Sequence, residues 1–298
     1  MILKKRIVVL ARKLIFGFTL CSLSAYAYQC VESEQLHIGN FALPYSQQPS
    51  SLYGFGQYVV DKDDLLLGVT PGFIIGHQST NFSTFTPYLI YGIRDDLVVL
   101  AALPVAMQWH TECSSSAGLT DALLEFEYLM YDYKTEVSSW EVSIVGSLLL
   151  PFGSDKKTPI TGFGSPSFFA GIINRYFSTE WYWYISAGGL FTTAHHKTRI
   201  GDTFLYQTGF GKNVGYDPDK WLCMVMLEMN GIYTQKNISC GTCVPNTGGN
   251  LIALGPTVWF STQKFIFQAG ILPVVYQHWN GDQPKLTMFV SLNFEWKF

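Results

Sequence analysis

Charge is scarce in this chain. Asp, Glu, Lys and Arg make up 14% of its 298 residues, against roughly 25% in soluble domains. Long apolar runs are missing too: outside the first 27 positions no stretch of about 18 apolar, charge-free residues occurs, which excludes a helical membrane protein. Catalytic signatures are equally absent. There is no Gly-x-Ser-x-Gly elbow, His-Glu-x-x-His pair, phosphate loop or His-x-Ser-Asn pattern, so no catalytic residue, cofactor or metal site is assigned and the chain is read as a non-enzyme. No excess of basic residues balances the acidic ones, so nucleic acid is not an expected partner.

What the chain has in abundance is apolar and aromatic side chains, 48% and 16% of the total. A protein this apolar, with no spanning helix, must satisfy its backbone groups in the bilayer another way. A closed barrel is the remaining solution. The amino terminus fits an exported protein. Lys4, Lys5, Arg6, Arg12 and Lys13 precede an apolar run from Leu14 to Leu23, and Ala25-Tyr26-Ala27 has the small-x-small form cut by signal peptidase, so residues 1–27 are expected to be a cleaved signal peptide. Leu20 before Cys21 argues against a lipid anchor. Cleavage would remove five basic and no acidic residues, taking the net charge from −3 to −8 (−3 − 5).

Residues 28–64 have no sustained period and are expected to form a periplasmic arm, a plug or an irregular first strand. From Leu65 onward, semi-alternating runs recur: Leu65 to His77, Ser83 to Ile93, Leu97 to Trp109, Thr120 to Tyr131, Trp140 to Leu150, Ser167 to Phe177, Trp181 to Ala194, Thr203 to Val214, Trp221 to Gln235, Leu251 to Phe260, Phe265 to Gln277 and Lys285 to Phe298. Tight junctions such as Arg94-Asp95-Asp96 alternate with longer ones such as Pro151 to Pro166. The pattern predicts an all-β fold, a transmembrane antiparallel up-and-down β-barrel of about 12 strands (10–14) over residues 65–298. Aromatics at strand ends, among them Trp109, Trp140, Trp181 to Tyr184, Trp221 and Trp259, are expected to form interfacial girdles.

The last run is the longest clean alternation. Leu286, Met288, Val290, Leu292, Phe294, Trp296 and Phe298 occupy one face, and Thr287, Phe289, Ser291, Asn293, Glu295 and Lys297 the other. Extending that parity to the other strands turns Glu125, Glu127, Glu141, Gln207, Glu228, Asn230, Gln268, Asn293 and Glu295 into the lumen as candidates for a solute pathway. Val145, Leu149, Leu272, Val274 and Phe289 share that face, which suits a narrow or filled interior better than a wide aqueous pore.

Five cysteines would remain after cleavage, and in an oxidising compartment Cys240-Gly-Thr-Cys243 is expected to form a loop disulfide, with a bridge from Cys113 to that loop standing equally beside it. Soft ligands gather in the inferred outer loops: His77, His110, Cys113, His195, His196, Cys240, Cys243 and His278. They are scattered in sequence, and His195 and His196, as neighbours on a strand, would point to opposite faces.

The aromatic end at Phe294, Trp296 and Phe298 resembles the carboxy-terminal signature by which outer-membrane barrels are recognised by their assembly machinery, which would make Phe298 an assembly signal. From Ser83 to Phe298 the chain also resembles the meta-pathway phenol-degradation family of outer-membrane transporters. The residues behind this are Ala102-Leu103-Pro104, Gly118-Leu119-Thr120-Asp121, Leu150-Pro151-Phe152-Gly153-Ser154, Gly255-Pro256, Gly270-Ile271-Leu272-Pro273-Val274 and the closing strand. The resemblance implies an outer-membrane channel for passive uptake of small, aromatic or apolar solutes, with membrane lipids and the assembly machinery as partners. Two alternatives stand beside it: a structural or surface-interaction barrel with an occluded lumen, and an outer-membrane enzyme.

Overall fold

The computed structural model describes residues 35–56 and 60–298. The expected signal peptide lies outside the described residues. The strands are β1 (Leu65–Gly76), β2 (Asn81–Arg94), β3 (Leu97–Ala102), β4 (Val105–Thr111), β5 (Ser114–Leu119), β6 (Ala122–Lys134), β7 (Ser138–Leu150), β8 (Ser167–Ser178), β9 (Trp181–Thr192), β10 (Thr198–Arg199), β11 (Thr203–Asp217), β12 (Trp221–Thr234), β13 (Ile238–Ser239), β14 (Thr242–Cys243), β15 (Gly249–Thr262), β16 (Phe265–Trp279) and β17 (Leu286–Lys297).

Among the described residues, fourteen of these segments form one antiparallel sheet in which β1 pairs with both β2 and β17, so the sheet closes. β3 and β4 are two halves of one stave, and β5 and β6 of the next, both facing the same neighbours in turn. The result is a closed up-and-down barrel of twelve staves. β10, β13 and β14 make a separate three-stranded sheet in segments expected to be irregular loop.

The expected strand Leu97 to Trp109 is thus not continuous. Pro104 has no N–H to give to a ladder, and the stave breaks there. The gap is stitched by the Leu103 amide donating to the Pro87 carbonyl and the Thr120 amide donating to the Pro104 carbonyl, both at 3.0 Å. The junction between the expected strands Leu97 to Trp109 and Thr120 to Tyr131 shrinks to a hairpin tip at Glu112-Cys113, because Ser114–Leu119 is strand.

Burial alternates along the staves as the period of two requires. In β17, Phe289, Ser291, Asn293 and Glu295 are buried and their neighbours are not. The outward face is apolar: Phe126, Ile144, Phe168, Ile172, Ile185, Phe210 and Leu227 are all exposed. With backbone groups paired around a closed ring and an apolar belt outside, the barrel is built to sit in a bilayer. Aromatic pairs mark the short-turn rim on this face, Tyr131 with Trp140, Tyr176 with Trp183, Trp181 with Phe210 and Phe265 with Trp296. Two expected girdle tryptophans turn inward instead. Trp259 is buried, its indole N–H bonded to Ser261 Oγ at 2.9 Å, and Trp109 donates to Thr84 Oγ1 at 3.3 Å beyond a register shift in β4. Within Trp181 to Tyr184 the faces alternate, and Tyr182 and Tyr184 are fully buried.

Candidate functional site: a filled lumen beneath an apolar vestibule

The described part of the segment before β1 lies inside the barrel. Its apolar residues Phe41, Ala42, Leu43 and Val60 pack with Leu66, Ile90, Val98, Tyr182, Met224, Trp259 and Ile266 from the wall. Further along, Tyr53 packs against Leu251, Leu272 and Phe289, and Phe55 against Val145, Phe169 and Ile173. Two glycines let the arm run this close to the wall. Gly39 (φ 57°) has its Cβ position 1.8 Å from the Thr179 carbonyl oxygen, and Gly56 (φ 63°) would place a Cβ 2.6 Å from Ile173. Any larger residue would collide and be strained there.

Because the arm makes no strand ladder, its backbone polar groups need side-chain partners, and the inward-facing residues provide them. Glu228 accepts hydrogen bonds from the amides of Leu52 (3.1 Å) and Tyr53 (3.2 Å), and also from Thr257 and Tyr184. Gln207 accepts from the Phe55 amide at 3.2 Å and donates to the Tyr53 carbonyl at 2.7 Å and to Asn230 at 3.1 Å. Gln268 donates to the Ser50 carbonyl, and Ser261 to that of Gln47. Glu125 accepts from Ser147 and from the Gly56 amide, and Glu127, 3% exposed, lines the same stretch.

Two further networks complete the wall. Asn293 and Glu295 are joined to Tyr88, Thr70 and Gln268. Glu141 pairs with Arg175, whose guanidinium also reaches the Tyr45 hydroxyl. Lys297 holds the foot of the arm through Ser46 Oγ and an ion pair with Asp64. All nine residues expected to face the lumen do so, and eight are buried, Asn230 partly. What they surround is chain rather than solvent: the space left near Tyr45, Pro49, Trp259 and Glu295 is about 30 Å³, room for a water or two.

Sequence parity missed Arg175, because both faces of β8 read as apolar: Phe168, Ala170 and Ile172 alternate with Phe169, Gly171 and Ile173. The arm's own role left no periodic signal, since its contacts, apolar packing and single hydrogen bonds alike, follow no strand or helix repeat.

Above the filled section, toward the long-loop rim, a cavity of about 380 Å³ is lined by Pro104, Trp109, Leu123, Leu149, Ile160 and Phe163. The broken stave forms one wall and the Pro151–Pro166 loop folds in as its roof. Asp121, freed from the ladder by the break, fastens that roof by accepting from the amides of Gly153 (3.0 Å) and Phe163 (2.8 Å). A pocket of this size and lining is suited to a small apolar molecule.

The expected Cys240–Cys243 disulfide is not formed in the structure: Cys113, Cys223, Cys240 and Cys243 are free thiols among the described residues. The hairpin register gives the reason, since Cys243 stands opposite Ile238 while Cys240 sits in the turn. Phe298 ends beyond β17, exposed, its amide bonded to the Leu65 carbonyl.

Among solved structures, the chain is similar to the COG4313 outer membrane channel from Pseudomonas putida F1, at TM-score 0.66 and 12% identity over 82% of this chain and 99% of that one. It also matches LpxR from Salmonella typhimurium at TM-score 0.44 and 8% identity, over 79% of this chain and all of that one (100%). No protein-family model matches the chain, and no curated protein does. The likeness to the Pseudomonas putida F1 structure establishes the fold: a transmembrane barrel of the outer-membrane type.

Proposed function

We propose that the chain is a channel of the bacterial outer membrane that admits small apolar or aromatic solutes, with the arm as its closure. The observation that carries this reading is the stacking of an apolar vestibule directly over a lumen closed by the chain's own arm, which is held through side-chain hydrogen bonds. Each such bond is worth about 0.5–1.5 kcal/mol net, and up to about 3 kcal/mol where its partner is charged. The neighbour from Pseudomonas putida F1 is described as an outer membrane channel, and the meta-pathway resemblance supplies the solute class. The nine inward residues would line the path once the arm moves; membrane lipids and, through Phe298, the assembly machinery are the proposed partners.

Liposome swelling with graded sugars, amino acids and small phenols tests it. Flux that favours phenols and rises in a Glu125→Gln/Glu228→Gln variant supports a gated channel. The small size of the space near Tyr45, Pro49, Trp259 and Glu295, about 30 Å³, favours a second reading, a permanently occluded barrel acting through its loops. Well-folded protein that passes no solute in either form would select it.

A further inference from the structure

Outside the lumen, one side-chain cluster has the composition of a metal site. Asp155 belongs to the Pro151–Pro166 loop that roofs the vestibule, and His195 and His196 to the link after β9. One ligating atom from each lies within 4.8 Å of the other two, the one such group among the described residues. His195 Nε2 stands 3.3 Å from Asp155 Oδ2, and the two imidazole centroids are 3.9 Å apart.

Neighbouring histidines on a strand would diverge, as the sequence led us to expect. Here they are in a turn. His195 and Thr198 exchange both backbone hydrogen bonds at 2.8 Å, and the two residues between them, His196 (φ 46°) and Lys197 (φ 64°), are left-handed. That hairpin turn brings both rings together. Gly164 leaves the space: a Cβ there would stand 2.9 Å from the His195 ring and 3.0 Å from Asp155 Cβ. A plain Asp155–His195 ion pair requires neither the second imidazole nor the left-handed residues that deliver it. A three-ligand site accounts for all of them.

We propose that Asp155, His195 and His196 bind one divalent transition-metal ion of the zinc or copper(II) class, with water in the remaining positions. Two imidazole nitrogens and a carboxylate oxygen suit these borderline ions, whereas calcium and magnesium demand oxygen ligands throughout. The ion would clasp the roof loop to the β9–β11 link.

Untagged mature protein, refolded in detergent, is titrated with zinc against a chromophoric chelator, and with cobalt(II) as a spectroscopic probe. Each variant is first checked for heat-modifiable migration. The expected result is one equivalent of zinc per barrel, weakened at least about tenfold by His195→Ala or His196→Ala and unchanged by the Cys240→Ser/Cys243→Ser pair, with no thiolate-to-cobalt charge-transfer band. Binding that survives both histidine changes, binding lost with the two cysteines, or no saturable binding by the folded wild type would each overturn the proposal.

Discussion

Glu228 receives four hydrogen bonds, two of them from backbone amides of the arm. Replacing it with Ala strips the Leu52 and Tyr53 amides of their acceptor inside the lumen, at a cost of about 1–3 kcal/mol for each group left unpaired. The arm should loosen while the barrel stays folded, and swelling rates should rise. Arg175 presents the opposite case. It is fully enclosed against Glu141, and Arg175→Ala would leave a buried carboxylate without its partner, costing about 3–5 kcal/mol; the lower temperature at which heat-modifiable migration is lost would report it, and an Arg175→Met/Glu141→Leu pair should recover much of the difference. Asp202 offers a test by pH. Burial acts to raise its carboxyl pKa, but hydrogen bonds from Arg199 and the Thr192 amide outweigh this and hold it below the usual 3.8. A carboxylate with a depressed pKa stabilises its surroundings above the ordinary value, and that support is lost as pH falls through the depressed one. Proteolysis of the 193–202 link, probed with an acid-active protease, should therefore accelerate only below about 3.8, and Asp202→Asn should remove the dependence.

At the scale of elements, the staves were legible because one physical constraint acts on all of them: lipid outside and packed chain inside enforce a period of two. Ile185, 56% exposed in β9, marks the lipid side; Ile185→Arg should cost about 2–4 kcal/mol near the midplane, measured by urea titration of the barrel folded into vesicles. Legibility failed where that constraint was relaxed. The break at Pro104 was hidden because its flanks, Leu97 to Ala102 and Val105 to Thr111, read as one run when joined. In β8 both faces are apolar, which concealed Arg175. The His195-His196 pair was misread for the opposite reason: a strand's alternation was assumed where the chain makes a turn.

At the scale of the molecule, the inward polar residues were legible and a plug in residues 28–64 stood as one of three readings, but the alternation of faces had no means of choosing among them. Carboxylates facing a lumen look the same in sequence whether they meet water, solute or the protein's own amides, and only the path of residues 35–56 distinguishes these. Deleting residues 35–56 should convert a poorly conducting barrel into one with large, weakly selective swelling rates. A deletion variant that folds and remains closed would point to a constriction elsewhere.

The arm is continuous with β1, and β1 closes the ring against β17. The seam therefore has a fixed inside. Both ends of the described arm stand at the short-turn rim, Asn40 on Ser178 and Thr179 and Asp64 on Lys297, while Tyr53 and Phe55 reach the middle of the lumen. Lys297, which holds Ser46 and Asp64 from the final strand, therefore ties the stopper to the same stretch of chain that closes the ring.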